Sequence, residues 1–195
     1  MEAVTAGAEA RHARGTGSKT IADLLPLAVE KYGDAPAQRF KVGDEWQESS
    51  YSELGEAVKE VALGLIDLGI QPGEKVSILA HTRPEWTHAC FGILTAAGTL
   101  VTIYQTNSPE ECQYVLQHSD SVAVFAEDGE QLAKIREIEG DCPELRHVIV
   151  LDPGDADLGD AISLDDLRER GRGRARPGRR GRWRRRCRRR RSRRR

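Results

Sequence analysis

Two short stretches carry side chains suited to ligand binding or proton transfer, each directly after an apolar run. His81, Arg83 and Trp86 follow residues 76–80, and Tyr104, Gln105, Thr106 and Asn107 close the run that begins at Thr99. An imidazole can move a proton near neutral pH, a guanidinium can hold a carboxylate or phosphate, and the hydroxyls can hydrogen-bond a ligand. An open α/β sheet binds ligands beyond the carboxyl ends of its strands, where both stretches fall if the apolar runs are strands. Arg83, Trp86, Tyr104 and Thr106 are therefore the candidate substrate-binding residues. A histidine base also needs an orienting partner, and spacing identifies none for His81. The favoured reading is that Arg83 and Trp86 shape a loop and a helix start, and that residues 104–107 form the turn before Pro109.

Other polar groups have simpler explanations. Gly15-Thr16-Gly17-Ser18-Lys19-Thr20 lacks the G-x-x-x-x-G-K-[ST] spacing of a phosphate loop and follows no strand, so it reads as a leader ending in a helix cap. Glu110 with Glu111, and Asp165 with Asp166, suit the first turn of a helix, whose free amides and dipole favour acids. His12, His88, His118 and His147 show no metal-ligand spacing. Cys90, Cys112, Cys142 and Cys187 lie 22, 30 and 45 residues apart with no C-x-x-C pair, which suits idle thiols in a cytoplasmic protein. No catalytic, cofactor-binding or metal-ligating residue is assigned.

The elements that must position these groups follow from periodicity. A helix is expected over 20–32, then a hairpin of 38–42 and 45–49 about Gly43-Asp44. Ser50-Tyr51-Ser52-Glu53 is a capping box opening a helix with Leu54, Val58, Val61, Ala62, Leu65 and Leu68 on one face and Gly69 at its end. Apolar strands over 76–80, 99–104, 122–126 and 148–151 alternate with helices over 84–97, 109–116 and 130–139, and a further helix begins at 163–167. The fold class is α/β: part of a doubly wound, mostly parallel sheet with helices on both faces, preceded by a helix and a β-hairpin.

Charge divides the chain. Residues 1–167 hold 12 Lys and Arg against 30 Asp and Glu, whereas the last 28 residues hold 18 Arg and one acid, Glu169. Residues 1–19 read as a disordered leader and 20–167 as the folded part. Arg168 to Arg195 reads as an Arg-rich low-complexity tail without apolar periodicity or lysine. Its abrupt start suggests a shifted reading frame; the alternative is a genuine basic arm binding nucleic acid or anionic lipid without specificity. No run reaches the ~20 apolar residues that span a bilayer, so a cytoplasmic protein is expected, with at most peripheral membrane contact.

The stretch from Trp46 to Tyr104 resembles the adenylate-forming superfamily of acyl-CoA synthetases, peptide-synthetase adenylation domains and luciferases. The resemblance is carried in order by Ser50-Tyr51-Ser52-Glu53-Leu54, Ala62-Leu63-Gly64-Leu65, Leu68-Gly69-Ile70, Pro72-Gly73-Glu74-Lys75-Val76, Arg83-Pro84-Glu85-Trp86 and Ala97-Gly98. Tyr104-Gln105-Thr106-Asn107-Ser108 and the acidic capped helix after it are most similar to the long-chain fatty acid branch. The resemblance implies a ligase using ATP, Mg²⁺ and coenzyme A, in which a fatty acid becomes an acyl-adenylate and then an acyl-CoA. It also implies that the phosphate loop and catalytic lysine of the family lie beyond residue 167, so this chain, as written, is expected to lack ligase activity.

Overall fold

The computed structural model describes residues 16–175, which fall into two compact units divided between Glu56 and Ala57. In the first, α1 (Ile21–Tyr32) starts at Thr20, whose side chain accepts from the Asp23 amide while the Asp23 carboxylate accepts from the Thr20 amide. The leader thus ends in a helix cap, as its composition suggests; residues 1–15 lie outside the described residues. Strands β1 (Pro36–Val42) and β2 (Glu45–Ser50) pair antiparallel with Val42 opposite Glu45. Two residues make the turn, and Gly43 takes φ 61° at its first position, a left-handed conformation that glycine adopts without strain. Ser50 then caps α2 (Tyr51–Asp67): its amide donates to Glu53 at 2.8 Å and its hydroxyl accepts from the Glu53 amide at 3.2 Å.

The second unit is built from β3 (Lys75–Leu79), α3 (Pro84–Thr95), β4 (Thr99–Ile103), α4 (Pro109–Ser119), β5 (Ser121–Ala126), α5 (Gly129–Ile138), β6 (His147–Val150), β7 (Ile162–Ser163) and α6 (Leu164–Ala175). Its strands form a five-stranded parallel sheet in the order β4-β3-β5-β6-β7. The crossover from β3 to β4 runs one way along the sheet, and that from β4 to β5 runs back past β3. Right-handed crossovers in opposite directions put their helices on opposite faces. Period-two alternation supplies the apolar side chains for both. Val76, Ile78, Ala123, Phe125 and Ile149 pack with α2, α3 and α6, while Leu79, Val124 and Ile103 pack with α4 and α5. The sheet is doubly wound, as periodicity implies.

Apart from one added strand, differences from the expected elements lie at their ends. Strand β7 has two residues, too few for alternation to register. Helix α3 stops at Thr95, and the left-handed residue after it is Ala97 (φ 61°), ahead of Gly98. The Gly98 amide donates to Ile93 and the Ala97 amide to Leu94, a Schellman closure with alanine where glycine is usual.

The largest difference is at α6, which continues through Ala175, past the Leu167 limit drawn from apolar periodicity. Leu164 and Leu167 are buried in the main core, and Gly171 is buried too. A Cβ on Gly171 would collide with the Glu60 carbonyl oxygen, and one on Gly64 with that of Leu167. Glycines thus let α2 and α6 touch backbone to backbone. Glu60 accepts from Arg168 Nε at 2.8 Å and from an Arg172 terminal nitrogen at 3.0 Å, and Arg174 reaches Asp67 at 3.3 Å. Arginine at these positions is a helix-docking residue, a role that counting apolar positions cannot reveal. Residues 176–195, which hold the rest of the Arg-rich segment, lie outside the described residues.

Candidate functional site

In this strand order the direction of winding reverses between β3 and β5, and their carboxyl ends form the crevice that such sheets use for ligands. The ladder extends beyond the strands there: the Glu127 amide donates to the Leu79 carbonyl at 3.0 Å and the Asp152 amide to the Glu127 carbonyl at 2.8 Å. These bonds set Glu127 between the residues that follow β3 and those that follow β6. Glu127 Oε2 accepts from both the His81 backbone amide and the His81 ring Nδ1, each at 2.7 Å. Arg83 donates to Glu85 at 2.7 Å, to Asp152 at 3.1 Å and to Glu127 Oε1 at 3.5 Å.

Burial pushes the Glu127 carboxyl up, but the His81 amide and ring and the Arg83 charge outweigh it and hold the group below its ordinary value. Glu127 is thus an ionised acceptor. Burial also opposes the charge on Arg83, and its bonds to Glu85 and Asp152 more than compensate, leaving its pKa raised. The guanidinium is committed to three carboxylates, so the site joins three crossover loops before any ligand arrives.

Of the four candidate residues, only Arg83 enters this cluster. Trp86 lies one turn into α3, partly buried against the main core, its amide donating to the Arg83 carbonyl. Tyr104 is 78 % exposed and Thr106 is exposed at the end of β4; no hydrogen bond or ion pair among the described residues joins either to the cluster. Residues 104–107 do form a turn, closed by the Asn107 amide on the Tyr104 carbonyl. Lys134 Nζ pins that turn from α5, donating to the carbonyls of Gln105 at 2.9 Å and Asn107 at 3.3 Å. Glu127 and Lys134 escaped the sequence reading. The signal for Glu127 was its place one residue beyond an apolar strand; Lys134 left none, because its partners are backbone atoms far away in sequence.

Several weaker candidates have local partners. Glu111 forms a capping box with Ser108, and Glu110 accepts from the Ser108 hydroxyl. Asp166 accepts from Ser163 at the start of α6. His118 stacks on Tyr114, and His88 is half-buried on α3. Cys112 and Cys142 are buried and Cys90 half-buried, and burial raises all three thiols, which leaves them poor nucleophiles. Two cavities, of about 360 and 380 Å³, lie beside α4. Neither is lined by His81, Arg83 or Glu127, and the chemistry of the crevice outweighs their size. Among the described residues no helix is long and apolar enough to cross a membrane, and no group of three His, Cys, Asp or Glu side chains is placed to hold a metal ion.

Residues 25–178 match the family described as AMP-binding enzyme. The chain is 31% identical to long-chain-fatty-acid–CoA ligase ACSBG1 of Rattus norvegicus over 153 residues, covering 78% of this chain and 21% of that protein. It is 38% identical to the ligase ACSBG2 of Xenopus laevis over 130 residues, covering 67% of this chain and 18% of the relative. The chain therefore spans about a fifth of the length of these curated relatives. Among solved structures, the long-chain-fatty-acid-CoA ligase FadD1 from Archaeoglobus fulgidus superposes with a TM-score of 0.65 at 19% identity, over 77% of this chain and 29% of that one. Mycobacterium smegmatis MbtA gives 0.67 at 24% identity, over 84% and 29%. At these identities the superpositions speak for the fold.

Proposed function

The chain belongs to the AMP-binding enzyme family, and we propose that it carries the opening scaffold of an ATP-dependent long-chain fatty acid–CoA ligase. In that reaction a fatty carboxylate attacks the α-phosphate of ATP to give an acyl-adenylate and pyrophosphate, and the thiol of coenzyme A then displaces AMP. The observation that carries the reading is the identity of 31% and 38% to two such ligases over at least two thirds of the chain. The doubly wound sheet with its switch-point crevice supports it.

The described residues do not fit ATP and Mg²⁺ by themselves. Arg83 is already held by Glu85, Glu127 and Asp152, three acids that would repel a polyphosphate, and no carboxylate group is gathered for a metal. The adenylating step is not assigned to them. Incubated with ATP, Mg²⁺, a long-chain fatty acid and coenzyme A, the purified 195-residue chain is expected to release no pyrophosphate above background. Sustained, fatty-acid-dependent release would overturn the reading that these residues do not carry the adenylating step.

A further inference from the structure

Spacing alone left His81 without an orienting partner, and the structure supplies one. We propose that His81 is a proton acceptor at the switch-point crevice, held by Glu127 as its positioning residue, and that the group it deprotonates is a thiol attacking an activated acyl carbon. The inference rests on the ligase reading for its substrate and on geometry for its residues.

Glu127 Oε2 takes both the backbone amide and Nδ1 of His81, each at 2.7 Å. A carboxylate only accepts, so Nδ1 carries the hydrogen and the basic lone pair is on Nε2. Two bonds to one oxygen fix the loop and the ring together, and Arg83 holds the other carboxylate oxygen. The imidazole side chain is 62% exposed and Nε2 has no hydrogen-bond partner among the described residues, whereas Glu127 is 13% exposed. The pair thus sets a sheltered anion behind an accessible ring, the arrangement that stabilises an imidazolium as it forms. His88, His118 and His147 have no carboxylate bonded to the ring among the described residues.

The surroundings select the ligand. Glu85, Glu127 and Asp152 outnumber the Arg83 charge they surround, which favours a neutral nucleophile over an anionic one beside His81. A neutral group with a dissociable proton fits, and of the common nucleophiles a thiol, with a pKa of about 8.5, is the best matched to an imidazole base. In the step, the S–H proton passes to Nε2 and sulfur forms its bond to the acyl carbon. The acyl C–O bond to the adenylate breaks, AMP leaves with that electron pair, and the imidazolium returns its proton to water.

The test uses the 195-residue chain and needs no ATP. N-acetylcysteamine and p-nitrophenyl butyrate serve as thiol and activated acyl probes, with thioester formation measured. Wild type is expected to accelerate the reaction, and His81→Gln to remove that acceleration, about a hundredfold loss, at the low end for a positioned base. Glu127→Ala, which removes the acceptor, is expected to lower the rate about tenfold and, in ¹⁵N-edited spectra of the imidazole, to shift the neutral ring away from the Nδ1–H tautomer that wild type shows. A purely structural role for Glu127 would leave the tautomer unmoved in any variant that still folds. Equal rates for wild type and His81→Gln, or an unprotonated Nδ1 in wild type at pH 8, would overturn the proposal. The tautomer and the pre-activated ester report on the pair even if the ligase reading fails.

Discussion

Arg83 and Glu127 each need the other, and their energetics can be separated by substitution. Removing the guanidinium in Arg83→Ala leaves three carboxylates facing one another with Glu127 largely out of water, an expected loss of about 1–3 kcal/mol. Arg83→Lys should recover less than half of it in chemical denaturation, because an ammonium cannot present donors in three directions from one plane. Glu127 adds a pH signature. Its folded pKa is depressed, so its stabilisation is present above the ordinary carboxylate value of about 4.3 and is lost as pH falls through the lower folded value. The stability difference between wild type and Glu127→Gln should therefore be constant near neutrality and shrink in acid. A difference unchanged down to pH 3 would show that the carboxylate charge is not what matters.

Helix ends and a helix crossing dominate at the scale of elements. Ala97 closes α3 in a left-handed conformation that disfavours any Cβ. Ala97→Gly should stabilise the fold by about 1 kcal/mol, seen as a raised melting temperature. The α2–α6 crossing predicts the opposite for added bulk. Gly171→Ala would drive a methyl into the Glu60 carbonyl, a backbone atom that cannot swing away, and is expected to cost about 1–3 kcal/mol. Chains ending at residue 175 and at residue 167 separate the two views of the arginines that follow Leu167. If they dock α6, the shorter chain loses cooperative melting and the longer one keeps it; equal melting would return Arg168, Arg172 and Arg174 to the status of a tail.

At the scale of the whole molecule, two half-buried imidazoles tie folding to pH. Burial, aided by the Arg168 charge, depresses the pKa of His88 on α3, and burial with Arg146 and Arg170 nearby does the same for His147 on β6. Each folded value lies below the unfolded value of 6.5, so each contributes stability that is complete above that pH and is lost as pH falls through the depressed value. Denaturation midpoints should fall between about pH 7 and 5, and His88→Gln should flatten that slope. Much of this molecule was legible in one dimension. Capping at Thr20, Ser50 and Ser108, the Gly43-Asp44 hairpin, and period-two runs separated by helices are local physics, and they were enough to specify a doubly wound sheet. The carboxyl-end rule likewise put Arg83 beyond β3, and the structure joins it there to Glu85, Glu127 and Asp152. Tertiary structure decided whatever depends on groups meeting from distant parts of the chain: Glu127 with His81 across 46 residues, Lys134 with the 104–107 turn, and Glu60 with Arg168 across 108. Local periodicity registers burial of apolar groups along one element. It carries no record of which charged or glycine positions another element will require, and so the same arginines that break the apolar pattern after Leu167 become, once α2 lies beside them, the contacts that hold α6.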